Sequence, residues 1–190
     1  LQLLLKKIYI MGKQLDCLND RLTDFINRQH LFFVGTAGAE GKINVSPKGM
    51  DTFRILDPRR ALWLNLTGSG NETAAHLLEN GRITIMFCAF EGKPLILRLY
   101  GKARVYHHFD EAWEELIRLF PVFNGARQLV DIQIDMVQTS CGFGVPYYDY
   151  KGQREELKWW ADKKGEEGIT EYWAQKNTTS LDGKETGIFG

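Results

Sequence analysis

Leu62-Trp63-Leu64-Asn65-Leu66, then Thr67-Gly68-Ser69-Gly70-Asn71-Glu72-Thr73, then Ala74-Ala75-His76-Leu77-Leu78-Glu79-Asn80-Gly81, then Arg82-Ile83-Thr84-Ile85-Met86-Phe87-Cys88-Ala89-Phe90: this run decides the fold. It spells a strand, a turn of small residues, a short helix and a second strand. Such a turn leaves backbone N–H groups free at the helix start, where they suit an anion such as a phosphate. The plainer alternative is a helix N-terminus capped by Ser69 or Asn71 and nothing more. Gly81 suits a left-handed C-cap that ends the helix.

The flanks continue in strands. Residues 31–36 read as a strand, 37–41 as a hairpin turn and 42–46 as the returning strand. Pro47 and Gly49 predict an edge or bulge around Lys48. Residues 52–56 and 61–66 flank Asp57-Pro58-Arg59-Arg60, a hairpin with Pro in a favoured turn position. On the other side, 82–90 and 94–106 are long strands joined by Glu91-Gly92-Lys93. Val130, Ile132, Ile134 and Met136 alternate with Asp131, Gln133 and Asp135, a half-buried strand. Helices are predicted over 13–28, from Leu15, Leu18, Leu22, Phe25 and Ile26, and over 109–120 and 151–175. The last fifteen residues read as an exposed tail.

Most connections are too short for parallel crossovers, so the sheet is expected to be antiparallel. Six or seven such strands would close into a barrel and remove exposed edges. The expected fold class is therefore mainly β, a β-barrel with flanking helices. One domain is expected over 1–190, with residues 151–190 a helix and tail. Residues 1–12 are expected to be either a leader, with Met11 the true start, or a docked extension; Leu1 to Ile10 lack a small-residue cleavage site.

Composition narrows the function classes. Lys+Arg and Asp+Glu both number 24, giving zero net charge, and no basic run exceeds two residues, which argues against nucleic acid. No window approaches the ~20 apolar residues of a membrane span. Cys17, Cys88 and Cys141 lack CxxC spacing, which argues against a disulfide framework or a zinc site and predicts a cytoplasmic setting. Cys88 reads as a small buried hydrophobe. His76 reads as a packing or surface residue and His30 as a helix-end residue. His107-His108 reads as an exposed turn whose neighbouring side chains diverge, so no metal site is expected. Trp113, Trp159, Trp160 and Trp173 read as packing between helices and barrel, or as part of a dimer interface.

Three patterns, in this order, resemble the pyridoxamine 5′-phosphate oxidase-like proteins over residues 30–157. Asn44-Val45-Ser46-Pro47-Lys48-Gly49 is similar to the family's strand ending in Lys-Gly, whose lysine meets the FMN phosphate. Thr67 falls on the family's Tyr-Thr threonine, and Leu77-Leu78-Glu79-Asn80 on its Leu-Glu-Ala-Asn. Cys141-Gly142-Phe143-Gly144-Val145-Pro146, with Tyr150-Lys151-Gly152, looks like the family's closing motifs. The resemblance implies a split β-barrel that binds FMN, a homodimer with FMN at the subunit interface, and a small-molecule substrate. It carries the cofactor-binding role onto Asn44, Val45, Ser46, Lys48, Thr67, Gly68, Ser69, Asn71, Thr73 and Tyr150.

The departures are equally specific. Glu72 and Thr73 stand where the family has an Arg-Lys pair for phosphate, Tyr150 where it has Trp, and Glu156 and Lys158 where it has a substrate-gripping Arg and His. The expectation is an FMN-dependent oxidoreductase that is not a true pyridoxamine phosphate oxidase. The alternatives are a flavin carrier or sensor without turnover, or a relative holding deazaflavin F420 or haem.

Overall fold

The computed structural model describes residues 12–190; the question of a leader over residues 1–10 lies outside them. Among the described residues eight strands make one antiparallel sheet: β1 (Lys13–Leu15), β2 (Phe32–Thr36), β3 (Asn44–Lys48), β4 (Phe53–Asp57), β5 (Arg60–Leu66), β6 (Arg82–Cys88), β7 (Ile96–Tyr106) and β8 (Ala126–Ser140). The order across the sheet is β3-β2-β6-β7-β8-β5-β4, with β1 paired to β8 off that path. Four helices flank it: α1 (Asp20–Asn27), α2 (Glu72–Asn80), α3 (Trp113–Leu116) and α4 (Glu156–Lys176).

The sheet curls on itself. Phe32 of β2 and Phe53 of β4 lie near opposite ends of the strand order, yet their ring centroids are 5.0 Å apart. Phe87 of β6 packs on both, at 5.7 and 5.4 Å. With Val34, Trp63, Ile85, Leu99 and Ile132 these rings fill the interior. Their burial at alternate positions is what the strand period of two requires. The strands β3 and β4 end the order and leave a seam. Pro47 has no N–H to donate, which suits its place on the edge strand β3, and the β2–β3 register runs without a bulge.

Several elements differ from the expectation. The apolar spacing over 13–28 predicted one helix, but residues 13–15 add β1 to the sheet. Asn19 then starts α1 by accepting from the Leu22 N–H at 3.1 Å. A cap residue inside a periodic pattern cuts the helix short. The helix expected over 109–120 is one turn, α3, followed by a 3-10 turn at Ile117–Leu119. The strand legible at 130–136 runs from 126 to 140 and carries β7, β5 and β1. It bends where the β7 register shifts after Tyr100. There a Cβ on Gly101 would lie 2.0 Å from the Gln133 carbonyl oxygen, so glycine is required. Gly81 takes φ 68° and ends α2 as a left-handed cap. The α4 segment breaks at Gly165, which has φ 67° and ψ 178°.

The tail is not exposed throughout. Asn177 and Thr186 are fully buried, and Ile188 joins Ala161, Ile169 and Trp173 in a small core beside α4.

Candidate functional site

The turn between β5 and α2 sits across the seam. Leu64 of β5 donates its N–H to the Thr52 carbonyl just before β4. On the far side of the turn, Asn44 of β3 donates from Nδ2 to the Thr73 hydroxyl of α2 at 3.2 Å and to Thr36 at 3.4 Å. The turn thus joins the two ends of the sheet.

Its side chains are largely committed within the chain. The Thr67 hydroxyl donates to the Gly125 carbonyl at 2.9 Å and accepts from Trp173 Nε1 at 2.8 Å, so it has no proton left for a phosphate. The Gly68 carbonyl accepts from Asn177 Nδ2 at 3.1 Å. Asn71 makes no side-chain cap on α2; its Nδ2 donates to the Asn177 carbonyl at 3.1 Å, and its buried Oδ1 has no partner. Ser69 is exposed. A Cβ built on Gly68 would meet nothing within 4 Å, so the backbone there borders open space.

On β3, side chains alternate. Val45 is 65% exposed and points outward, while Asn44, Ser46 and Lys48 share the inward side. The Ser46 hydroxyl is buried with no partner. Lys48 Nζ lies 5.2 Å from the centre of the Trp63 ring. Burial, with the positive charge of Arg127 adding to it, pushes its ammonium down to about 8. Among the described residues no carboxylate offsets that burial.

Arg127 completes this surrounding, and nothing in the sequence reading pointed to it. It lies in β8, 3% exposed, and donates from one terminal nitrogen to the Gly70 carbonyl at 2.9 Å and to Asn177 Oδ1 at 2.8 Å. Its Nε is buried without a partner. Desolvation lowers the guanidinium to about 10. A single cation within Ala126-Arg127-Gln128-Leu129-Val130, a run otherwise without charge, was the available signal. Asn177 was missed too, because it belongs to a segment read as an exposed tail; Trp173 was read as packing between helix and barrel, and its indole N–H meets Thr67.

Tyr150 stands elsewhere. Its ring stacks on His30 at 3.6 Å and 10°, and His30 is thus a wall residue and not part of a helix end. The pair separates two open grooves, of about 1570 and 820 Å³, that both include Gln29, His30 and Tyr150 in their walls. Gly49, next to Lys48, also lines the smaller groove, while Lys48 itself lines neither. A crevice beside Thr67 has only about 10 Å³, too little for a phosphate.

The histidines also differ in part from expectation. His107 is buried, not exposed, and meets Gln128 Nε2 through its Nε2 at 3.1 Å. Burial pushes its pKa down. His76 is fully packed, with Nδ1 3.0 Å from the Thr36 hydroxyl. Cys88 is buried as expected.

Residues 18–141 match the family model described as Pyridoxamine 5′-phosphate oxidase. A pyridoxamine 5′-phosphate oxidase family protein of Aspergillus flavus, ustO, is 39% identical over 188 aligned residues, covering 88% of this chain and 75% of the relative. The chain belongs to the pyridoxamine 5′-phosphate oxidase family. Solved structures agree on the fold. A candidate pyridoxamine 5′-phosphate oxidase from Lactobacillus delbrueckii superposes with a TM-score of 0.53 at 18% identity, over 67% of this chain and 98% of that one. HupZ from Group A Streptococcus gives 0.50 at 24% identity, over 63% and 91%. The eight-stranded antiparallel sheet is therefore the split barrel of this family.

Within that family frame, the polar groups suit the phosphate end of a flavin nucleotide in part. Lys48 and Ser46 bring donors that the chain leaves unused, and the backbone at Gly68 is open. The Thr67 hydroxyl does not serve, because it is spent on Gly125 and Trp173.

Proposed function

We propose that this chain is an FMN-binding flavoprotein of the family, an oxidoreductase acting on a small-molecule substrate as a homodimer. The observation that carries the reading is Lys48: a cation lowered into the barrel seam with an unpartnered hydroxyl on the same side and no acid to neutralise it. A buried charge without a partner is costly, and a bound anion removes that cost.

Lys48, Ser46 and the Gly68 backbone would face the phosphate, with Asn44 and Thr73 fixing β3 against α2. Ser69 and Asn71 border the same turn, and Val45 flanks it from the outer face. Tyr150, stacked on His30, would bound the ring end. When bound, the flavin supplies the electron and hydride chemistry, and the chain supplies placement. The wide groove beside Tyr150 gives a substrate room to approach. Three free cysteines fit a reducing cytoplasm.

The test is direct. Purified protein titrated with FMN is expected to retain it through gel filtration, with a flavin band at roughly 450 nm. Protein that stays colourless after exposure to excess FMN overturns the proposal.

A further inference from the structure

The larger groove beside Tyr150, of about 1570 Å³, is walled by one face of α1, the tip that joins β6 to β7, and the segment that follows β8. On α1 the lining residues Arg21, Leu22, Phe25, Arg28 and Gln29 recur at helical spacing and so share one face. Leu22 and Phe25 are buried at the centre of that face, and the two arginines stand exposed at its ends. They are two turns apart, about 10 Å along the helix axis. Across the groove, the Phe90 and Tyr148 rings lie 5.5 Å apart at 51°, tied by the Tyr148 N–H to the Phe90 carbonyl at 3.2 Å. The parallel stack of Tyr150 on His30 bounds the space at one end. Phe90 is half-buried, and Tyr148 and Tyr150 are exposed, so aromatic surface lines an open trench.

Charge is arranged around that surface. Arg21, Arg28, Lys93 and Lys151 line the groove with two acids, Glu91 and Asp149. Among the described residues, none of these six side chains makes an ion pair or a hydrogen bond. In the smaller groove, by contrast, the Arg54 guanidinium is spent on both carboxylate oxygens of Asp51. Taken singly, exposed charges mark only a solvated surface. An excess of free cations around exposed rings complements a molecule that has both a flat apolar body and an anionic head. Chain position ties two of the four cations to the stacked wall: Arg28 comes two residues before His30, and Lys151 directly follows Tyr150. Together they offer a planar fork and a point charge to one head group. The two acids set the charge of that head, because they repel a dianion such as a phosphate more than a monoanion.

We propose that this groove binds an aromatic monocarboxylate, with Arg28 and Lys151 on the carboxylate and Phe90 and Tyr148 on the ring, and that this is the substrate class of the flavoprotein. The substrate role rests on the flavin reading; the binding of the acid does not.

The experiment titrates 1-naphthoate, 1-naphthalenemethanol and 1-naphthyl phosphate into the full chain by calorimetry, with and without FMN. Naphthoate is expected to bind roughly tenfold more tightly than either the neutral alcohol or the phosphate. Arg28→Gln combined with Lys151→Gln, at two exposed positions outside the barrel core, is expected to weaken naphthoate about tenfold and leave the alcohol unchanged. Tyr148→Ala is expected to weaken both, and Asp149→Asn to tighten naphthoate. Equal affinity for naphthoate and the alcohol overturns the proposal. So does a preference for the phosphate, or a naphthoate affinity indifferent to the double substitution. A chain that takes up FMN and binds no naphthoate, as when a second copy fills the groove, discards the groove and keeps the flavin. Naphthoate binding that follows the expected pattern in a protein that takes up no FMN keeps the groove and discards the flavin.

Discussion

At Lys48 the chain accepts a local penalty, and its sign can be worked out. The ammonium titrates at about 8 in the fold and near its ordinary 10.5 when unfolded. Below about pH 8 both states are protonated, and the fold carries the full cost of a desolvated charge. Between about 8 and 10.5 the unfolded chain binds more protons, so stability rises with pH. Lys48→Met is therefore expected to be more stable than wild type at pH 7, on the order of 2 kcal/mol once partial exposure is discounted. The gap should shrink towards zero near pH 10.5. Urea denaturation of both proteins at pH 7 and pH 10 measures it; a gap that does not change with pH would show that Lys48 carries no such penalty. Excess phosphate should narrow or reverse the gap at pH 7, because a bound anion favours the charged form.

Among the elements, the C-terminal tail does what a peripheral segment was not expected to do. It crosses α2 and the β2–β3 hairpin through three anchors: Glu72 to the Leu181 N–H, Lys42 to Asp182 at 2.8 Å, and Lys184 to Glu79. Asn177 sits beneath, tied to Gly68, Asn71 and Arg127. Bonds from a carboxylate to a backbone N–H are charge-assisted, although exposure to solvent screens this one. Glu72→Ala should thus loosen the tail without melting the barrel. Tryptic cleavage after Lys184 is expected to accelerate on the order of tenfold, with the far-UV spectrum unchanged. An unaltered cleavage rate would mean that Glu72 does not hold the tail. The contrast with the strands explains what was legible. Local signals gave α2, its Gly81 stop and the alternation of β8, since periodicity and turn chemistry are written over a few residues. The turn was legible from its small residues, whereas Lys48 and Ser46 were singled out through the resemblance to the family. Arg127 and Asn177 were not singled out, because the bonds that bring them to the turn span 50 or more residues; Trp173 was read as packing against the barrel, but its bond to Thr67 spans 106 residues and left no local signal.

Across the whole molecule, the outer face of the sheet has no counterpart on the barrel's inner side. Register places Pro47, Phe33, Met86, Arg98 and Gln138 in one row across five strands, and Val45, Gly35, Thr84, Tyr100 and Met136 in the next. These positions alternate with the buried core and are half-exposed or exposed. Phe33, Met86, Tyr100 and Met136 give the rows an apolar centre, and Val45, with Ile43 beside it, leaves large side chains open at the β3 edge. A five-strand face is wide enough for the ~1,200–2,000 Å² that a stable interface buries in total. A second copy of the chain packed here would lie beside β3 and so beside the phosphate end proposed for the flavin, which would make cofactor retention depend on assembly. Light scattering at micromolar concentration is expected to give a dimer mass. Phe33→Asp combined with Val45→Asp should give a folded monomer, because a like-charged patch replaces apolar contact on both partners at once. The same monomer is expected to bind FMN more weakly while keeping its unfolding transition. A wild-type monomer would refute the assembly outright, and a dimer indifferent to both substitutions would move the interface to another face.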